Sequence, residues 1–171
     1  MFERATRLLK HRWMEDARHL IDQDLLKRLK QRVSLSESAH TGEVRICIES
    51  ALPNSYLLRP GAMRVIARQR ALSQFGKLHV WDTEHNYGIL IYLLLAERTI
   101  ELVADRGLNH LVKQTDWQNM LKSLGEALRD NRLEDGLNQA IDAVTAVLIQ
   151  HFPLEAGTIR PNELPDQPTL S

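Results

Sequence analysis

This chain of 171 residues has one cysteine, no formal net charge and no long apolar run. The single cysteine, Cys47, has no partner for an intramolecular disulfide, so the fold is stabilised by its core and a reducing compartment is expected. A chain of this length buries roughly 70% of its unfolded surface, which is enough for one domain with a proper core. We therefore expect a single domain that needs no disulfide.

Net charge is absent, because 22 basic residues balance 22 acidic ones. This balance argues against a general polyanion binder, whose affinity would come from neutralising phosphates. The balance is nevertheless local: residues 1–32 carry nine basic and five acidic side chains, and residues 59–77 carry five basic ones and no acid. The second stretch lacks interleaved aromatic residues for stacking bases, so we expect no nucleic-acid partner.

The longest apolar stretch, Ile89–Ala96, has eight residues. A membrane-spanning helix needs about twenty, so a buried strand is predicted instead. The first twelve residues lack the apolar run and the small-residue cleavage site of a secretory signal. We therefore expect a cytoplasmic protein, or one at the inner face of a membrane.

Residues 1–21 form a basic, amphipathic amino-terminal segment. Leu8, Leu9 and Trp13 recur at helical spacing with cations between them. Two interpretations remain open. The favoured one is a helix that docks on its own domain, and the other is peripheral contact with an anionic membrane through residues 1–15.

Four stretches in the first two thirds of the chain are predicted to be extended. Residues 43–49 alternate between apolar and polar side chains, which is the period of a half-buried strand. Residues 89–95 are continuously apolar, as in a strand buried on both faces, and a tight connection joins them to residues 99–104 as a hairpin. Residues 78–81 provide a short fourth piece.

Helices are predicted around these strands: one begins at Asp22 or Asp24, and others cover residues 63–75, 115–128 and 133–152. The order calls for a two-layer or three-layer α/β sandwich. We expect the three-layer form, an α/β/α sandwich around a small mixed four-stranded sheet.

The predicted domain covers residues 22–153, and residues 154–171 form a proline-rich tail. Four of the six prolines lie from Pro153 onwards, so we expect the tail to be extended and poorly ordered.

Several short motifs occur in an order that resembles the bacterial branch of the TPM domain family. They are Thr41-Gly42-Glu43-Val44-Arg45, the run from Trp81 to Tyr92 with Asn86-Tyr87-Gly88-Ile89-Leu90-Ile91 at its centre, Asp105-Arg106-Gly107-Leu108, His151-Phe152-Pro153, and Asn162-Glu163-Leu164-Pro165-Asp166. The family includes a thylakoid-lumen acid phosphatase and photosystem II repair proteins. The resemblance, which covers residues 25–166, implies an α/β domain. It also implies weak phosphatase activity and, as in some members, a divalent ion held by acidic residues at strand ends.

Five polar residues fall at or just beyond predicted strand ends, where ligands gather in open α/β sheets. They are Glu49, Asp82, Glu84, Asn86 and Asp105. Carboxylate and amide oxygens are hard donors that suit Ca²⁺ or Mg²⁺. The alternative is that each residue caps a helix or forms a turn through its own backbone. The hairpin should return Asp105 to the end of the sheet that holds Asp82 and Asn86, and Glu49 could join them if the first strand is parallel to the third.

Catalytic signatures are scarce. The sequence has no glycine-rich phosphate loop, and its compact group with nucleophile and base types is Thr83, Glu84 and His85, whose adjacent side chains seldom meet in triad geometry. The leading hypothesis is therefore an interaction module, stabilised by a divalent metal and acting with a membrane-anchored or assembly protein. The alternative is a metal-dependent, acid-phosphatase-like hydrolase.

Overall fold

The computed structural model describes residues 9–11, 21–112, 117, 127–128, 130, 132–155, 157–158 and 161–171. Within these ranges the elements are α1 (Gln23–Glu37), β1 (Glu43–Glu49), α2 (Asn54–Leu57), α3 (Met63–Lys77), β2 (Gly88–Leu94), a 3₁₀ turn (Leu95–Glu97), β3 (Thr99–Ala104), α4 (Arg106–Asn109), α5 (Leu133–His151) and β4 (Thr169–Leu170).

The four strands form one mixed sheet in the order β3–β2–β1–β4. β1 is parallel to β2 and β4, and β2 pairs with β3 in the antiparallel hairpin expected from the sequence. α1 and α5 cover the face that carries Ile46 and Ile91, while α3 covers the face that carries Cys47 and Tyr92. This arrangement confirms the α/β/α sandwich around a mixed four-stranded sheet.

β1 is buried on both faces, whereas its alternation predicted burial on one. The apolar side chains pack under α1 and α5, and the alternate ones, Arg45, Cys47 and Glu49, lie under α3 or the tail. The alternation predicted one exposed face, but both faces of this sheet are covered. A polar side chain can be buried there if it has a hydrogen-bond partner. β2 is buried throughout, as its apolar composition predicts.

The fourth strand is not the expected one. The amides of Leu78 and His79 remain bonded to the last turn of α3, and His79 has a left-handed φ of 54°, so residues 78–81 form a turn. The edge position next to β1 belongs to Thr169–Leu170, which pairs with Cys47 and Ile48.

The described part of the tail is held against the domain. Arg45 donates through Nη1 to the carbonyl oxygens of Pro165 and Gln167, and through Nη2 to Thr169 Oγ1. Leu164 is buried in the core on the α3 side. These contacts join residues 120 or more positions apart, so composition alone could not predict them.

Part of the amino-terminal segment docks on the domain, as the favoured interpretation predicts. Residues 9–11 are helical, and the His11 side chain is 1% exposed. Its Nδ1 accepts from the Leu52 amide at 3.0 Å, so Nε2 is the donor to Glu97 Oε1, also at 3.0 Å. Burial opposes ionisation of Glu97, but hydrogen bonds from His11 and Lys10 lower the pKa of Glu97 below its usual value.

The predicted helix over residues 115–128 lies mostly outside the described residues. The described residues of this stretch are Trp117, Ala127 and Leu128, and all three are helical and buried. Among the helices of the described ranges, none is long and apolar enough to cross a membrane.

Candidate functional site

The predicted site residues fall at opposite ends of the sheet. Because β1 and β2 are parallel, with Glu43 opposite Gly88 and Glu49 opposite Leu94, Glu49 lies where β2 ends. The antiparallel β3 returns Asp105 to the start of β2, where its amide donates to Gly88 O at 2.9 Å. Asp105 therefore lies at the end of the sheet where the hairpin predicted it. Glu49 does not join this group, because parallel pairing separates it from the loop before β2.

The polar loop before β2 turns tightly around Asn86. The Asn86 amide donates to Thr83 O at 3.1 Å, and Asn86 takes a left-handed φ of 58°, which asparagine tolerates better than most residues. Its side-chain oxygen accepts from Arg106 Nε at 3.0 Å and from Nη2 at 2.8 Å. Asp82 and Glu84 are exposed on this loop. The loop thus presents Asn86, rather than the two acids, towards the end of β3.

One of the two carboxylate oxygens of Asp105 caps a helix. It is the N-cap of the short helix α4, and Oδ1 accepts from the Arg106 amide at 2.6 Å. The residue is only 8% exposed, and its second oxygen, Oδ2, is buried without a hydrogen-bond partner in the part of the chain that the structure describes. Thr83 Oγ1 is in the same condition. We call Thr83, Asn86 and Asp105 the loop-end site.

Glycine at position 107 lets α4 approach the loop. A Cβ atom there would lie 2.7 Å from the Asn86 carbonyl oxygen and 2.8 Å from the Tyr87 ring. Each residue of the Asp-Arg-Gly sequence thus has a role. Asp105 caps α4, Arg106 donates to Asn86, and Gly107 allows α4 to pack closely against the loop.

The tail contacts the loop before β2 at Glu84 and the start of β1 at Glu43. The Glu163 side chain accepts from the Glu84 amide at 2.8 Å, while the Glu43 carboxylate accepts from the amides of Glu163 and Leu164 at 3.4 Å and 3.2 Å. Glu43 is not among the residues predicted for this site, although it belongs to the first of the family-like motifs. Its charge at the start of β1 was the available signal.

The loop-end site fits a divalent cation in part. The buried Asp105 Oδ2 is a hard anionic donor of the kind that Ca²⁺ and Mg²⁺ prefer. However, no group of three or more His, Cys, Asp or Glu side chains could hold a metal ion within the described ranges, and Arg106 occupies the Asn86 oxygen. Ion binding therefore requires Arg106 to move, with Asp105 as the anchoring carboxylate.

Glu49 anchors a separate buried cluster at the other end of the sheet, which sequence analysis missed. Arg70 of α3 contacts both Glu49 oxygens through Nε, at 3.1 Å and 2.9 Å, and Oε1 through Nη2 at 2.6 Å. The Tyr92 hydroxyl donates to Oε2 at 2.6 Å. We call these three residues the Glu49 cluster. The sequence indicated this cluster in two ways. Arg70 lies in a stretch without acidic residues, and Glu49 occupies a polar position of the predicted first strand.

The electrostatics of this cluster keep Arg70 charged and Tyr92 neutral. Burial, followed by the Glu49 charge, raises the pKa of Tyr92, and hydrogen bonding to Glu49 raises the pKa of Arg70. Burial also raises the pKa of the Cys47 thiol to about 11, so the neutral thiol predominates at pH 7. A neutral buried thiol is a poor nucleophile, which argues for a structural role.

A second group missed by sequence analysis pairs a serine with a histidine. Ser36 Oγ lies 2.9 Å from His40 Nε2 and 2.6 Å from Thr145 Oγ1, and His40 Nδ1 lies 3.1 Å from the Gly42 carbonyl oxygen. His40 is fully buried and Ser36 nearly so, which leaves no room for a substrate. The separation of Ser36 and His40 by four residues was the feature of the sequence that could have indicated this pair. The group of Thr83, Glu84 and His85, which was not expected to reach triad geometry, has no hydrogen bond to Thr83 Oγ1 among the described residues.

The arrangement is that of an α/β/α domain with a polar loop, a capped helix and a tail meeting at one end of a mixed sheet. The model of the TPM domain family matches residues 14–147, which is more than half of the 171 residues. The chain therefore belongs to the TPM domain family.

The fold is also similar to the NMR structure of the BA42 protein from the psychrophilic bacterium Bizionia argentinensis. The TM-score is 0.73 at 20% identity, over 88% of this chain and 95% of that chain. At this identity the likeness shows the fold alone. None of the curated proteins compared matches the chain.

Proposed function

We propose that this TPM domain is an interaction module that binds a divalent cation, Ca²⁺ or Mg²⁺, at the loop-end site. The observation that carries the proposal is Asp105, which is buried, caps α4 with one oxygen and leaves the other without a partner among the described residues. A buried carboxylate oxygen without a partner costs free energy, and a cation supplies the missing interaction.

Three side-chain oxygens, one each from Asp105, Thr83 and Asn86, would hold the ion. Asp105 Oδ2 supplies the anionic donor, and the Thr83 hydroxyl is a second buried oxygen without a partner in the described part of the loop. The Asn86 side-chain oxygen becomes available once Arg106 moves, and Arg106 is exposed, so its movement does not disturb the core. When bound, the ion supplies positive charge that ties the loop to the end of β3.

The cation is expected to shift the amide resonances of this end of the sheet. Adding Ca²⁺, and separately Mg²⁺, to the ¹⁵N-labelled chain should move the signals of residues 82–88 and 105–107 in a saturable way. Asp105→Asn should abolish the shifts, because it removes the buried charge.

The matched control is Asp82→Asn, which removes an exposed carboxylate from the same loop. It should leave the titration unchanged. Shifts that persist in Asp105→Asn, or that vanish equally in Asp82→Asn, would assign the ion to the loop surface and overturn the proposed site.

The alternative function is a metal-dependent, acid-phosphatase-like hydrolase, in which a bound ion polarises a phosphoryl oxygen. The match to the family model is what favours it. Against it, Ser36, which lies 2.9 Å from His40, is buried, and Thr83 has no base within hydrogen-bond distance among the described residues.

We expect hydrolysis of an aryl phosphate to be absent or very slow from acidic to neutral pH with either ion present. The assay compares the wild-type chain with Asp105→Asn and Asp82→Asn. Robust turnover that Asp105→Asn removes would favour the hydrolase over the interaction module.

The proposed setting is the cytoplasm or the inner face of a membrane, with a protein partner that is membrane-anchored or part of an assembly. Peripheral membrane contact through residues 1–15 belongs to the same proposal. Lys10 and His11 bind Glu97, so two polar groups of this segment are directed at the domain. That geometry supports docking for the described part of the segment.

A further inference from the structure

The contact between the amino-terminal segment and the domain includes a buried histidine. The His11 side chain is 1% exposed, and its ring lies between two groups of the domain. The Leu52 amide is 3.0 Å from Nδ1, and Glu97 Oε1 is 3.0 Å from Nε2. Leu52 follows β1 and Glu97 belongs to the 3₁₀ turn after β2, so both lie at the opposite end of the sheet from the loop-end site. We call these three residues the His11 latch.

The two groups that receive the His11 ring are held in place by the domain itself. The Ala96 amide donates to the Ser50 carbonyl oxygen at 3.0 Å, which joins the 3₁₀ turn to the loop after β1. Leu52 is buried and packs in the core on the α3 side. The receiving groups therefore belong to the packed domain, and release requires only the segment to move.

The Leu52 amide determines which form of His11 fits in the docked position. A backbone N–H can only donate, so Nδ1 has to offer a lone pair, and the ring is neutral with its proton on Nε2. A proton added at Nδ1 would point at the Leu52 N–H and leave two buried donors without an acceptor. The docked arrangement therefore accepts the neutral imidazole and excludes the imidazolium.

The nearby charges of the described residues do not remove this conflict. Glu97 attracts an imidazolium, but Lys10 already pairs with its Oε2 at 3.1 Å, and Glu49, at the end of β1, is bonded to Arg70 instead. Burial opposes ionisation of Glu97, yet hydrogen bonds from His11 and Lys10 lower the pKa of its carboxyl. The stability that Glu97 contributes is thus lost only at more acidic pH, below the range of about pH 6.5 in which an imidazole titrates.

We propose that protonation of His11 releases the amino-terminal segment from the domain, so that the His11 latch acts as a pH switch. The docked form binds one proton fewer than the released form, in which a solvated imidazole takes up a proton near about pH 6.5. Docking is therefore strongest above this pH, and its equilibrium constant falls by up to roughly tenfold for each pH unit below it. The switch needs no bound cation, so it goes beyond the proposed function.

The test follows the full ¹⁵N-labelled chain by NMR from about pH 8 to about pH 5, a range that spans imidazole titration. At the alkaline end, the ring nitrogens of His11 should show the neutral form with the proton on Nε2. As the pH falls, the hydrogen-exchange protection factor of the Leu52 amide should drop by up to roughly tenfold per pH unit, and the amides of residues 9–11 should gain fast motion. The signals of β2 should stay native, which separates local release from global unfolding.

Three variants locate the titrating group. His11→Asn keeps an acceptor near the position of Nδ1 and does not titrate, so the segment should stay docked at acidic pH. Glu97→Gln removes the facing carboxylate and should leave the pH dependence in place. The matched control is His79→Asn, which changes an exposed histidine of the turn after α3, where asparagine tolerates the left-handed φ. It should behave as the wild type.

Several results would overturn the proposal. They are a proton on Nδ1 at about pH 8, a Leu52 protection factor that stays constant down to about pH 5, and equal pH dependence in the wild type and His11→Asn. Loss of the β2 signals together with the Leu52 signal would assign the change to global unfolding and would also overturn it. The ring nitrogens decide the case without any variant, because protonation of His11 and release of the segment have to share one midpoint.

Discussion

The Glu49→Gln variant is expected to lose about 3–5 kcal/mol of unfolding free energy, because it leaves Arg70 buried without an opposing charge. Both residues are buried, and three nitrogen–oxygen contacts of 2.6–3.1 Å join them. Glutamine keeps the shape and can still accept from Tyr92, so the loss reports the charge rather than a cavity. Urea unfolding followed by circular dichroism measures it.

The matched control is Glu134→Gln, which breaks a similar ion pair at the surface. Arg28 donates to the two Glu134 oxygens at 2.7 Å and 2.9 Å, but the pair is largely exposed. Because solvent screens this pair, its loss should cost much less unfolding free energy than the loss of the buried pair. Equal losses in the two variants would contradict the role of burial.

A double variant separates charge compensation from packing. Glu49→Gln combined with Arg70→Met removes both charges and keeps an acceptor for the Tyr92 hydroxyl, so it should be less destabilising than Glu49→Gln alone. Should the double variant lose as much as the single one, the Glu49 cluster acts through its shape and not through paired charge.

Replacing Gly88 with alanine is expected to lower the unfolding free energy by about 3 kcal/mol. A Cβ atom there would lie 2.0 Å from the Val80 carbonyl oxygen, which is a backbone atom and cannot rotate away. Gly88 opens β2, and its carbonyl accepts from the Asp105 amide, so the displaced backbone should also perturb the loop-end site. Thermal unfolding gives the loss, and the amide spectrum shows where it acts.

Gly76→Ala provides the opposite case in the same protein. Gly76 lies in α3, and nothing lies within 4 Å of an added Cβ. Alanine should stabilise the helix by about 0.5–1 kcal/mol, because glycine loses more conformational freedom on folding. A similar loss for both variants would show that local space does not determine the effect.

The elements that the sequence predicted correctly are those whose side chains repeat over many residues. The stripe that begins at Leu25 follows the N-cap Asp22, whose side chain accepts from the Leu25 amide, and the apolar run of β2 is buried at every position. The tail strand could not be predicted in this way, because it pairs through only two residues, Thr169 and Leu170. Two residues do not establish a period.

For the candidate site, the hairpin was the reliable guide. It joins neighbouring strands, so it placed Asp105 beside the start of β2 without long-range information. Glu49 required the direction of β1 relative to β2 and the helix that covers it, and its partner Arg70 lies 21 residues away on α3. Such pairings depend on tertiary packing, which local patterns do not encode.

Thermal unfolding with added Ca²⁺ or with chelator tests the cation site most directly. An ion that binds only the native state stabilises it by about 2.7 kcal/mol at a hundredfold excess over Kd. Each 1 kcal/mol should raise Tm by roughly 2–4 °C for a chain of this size. We predict a higher midpoint with Ca²⁺ in the wild type and in Asp82→Asn, and no rise in Asp105→Asn. A wild-type midpoint that stays unchanged at millimolar Ca²⁺ and Mg²⁺, or an equal rise in Asp105→Asn, would contradict the cation site.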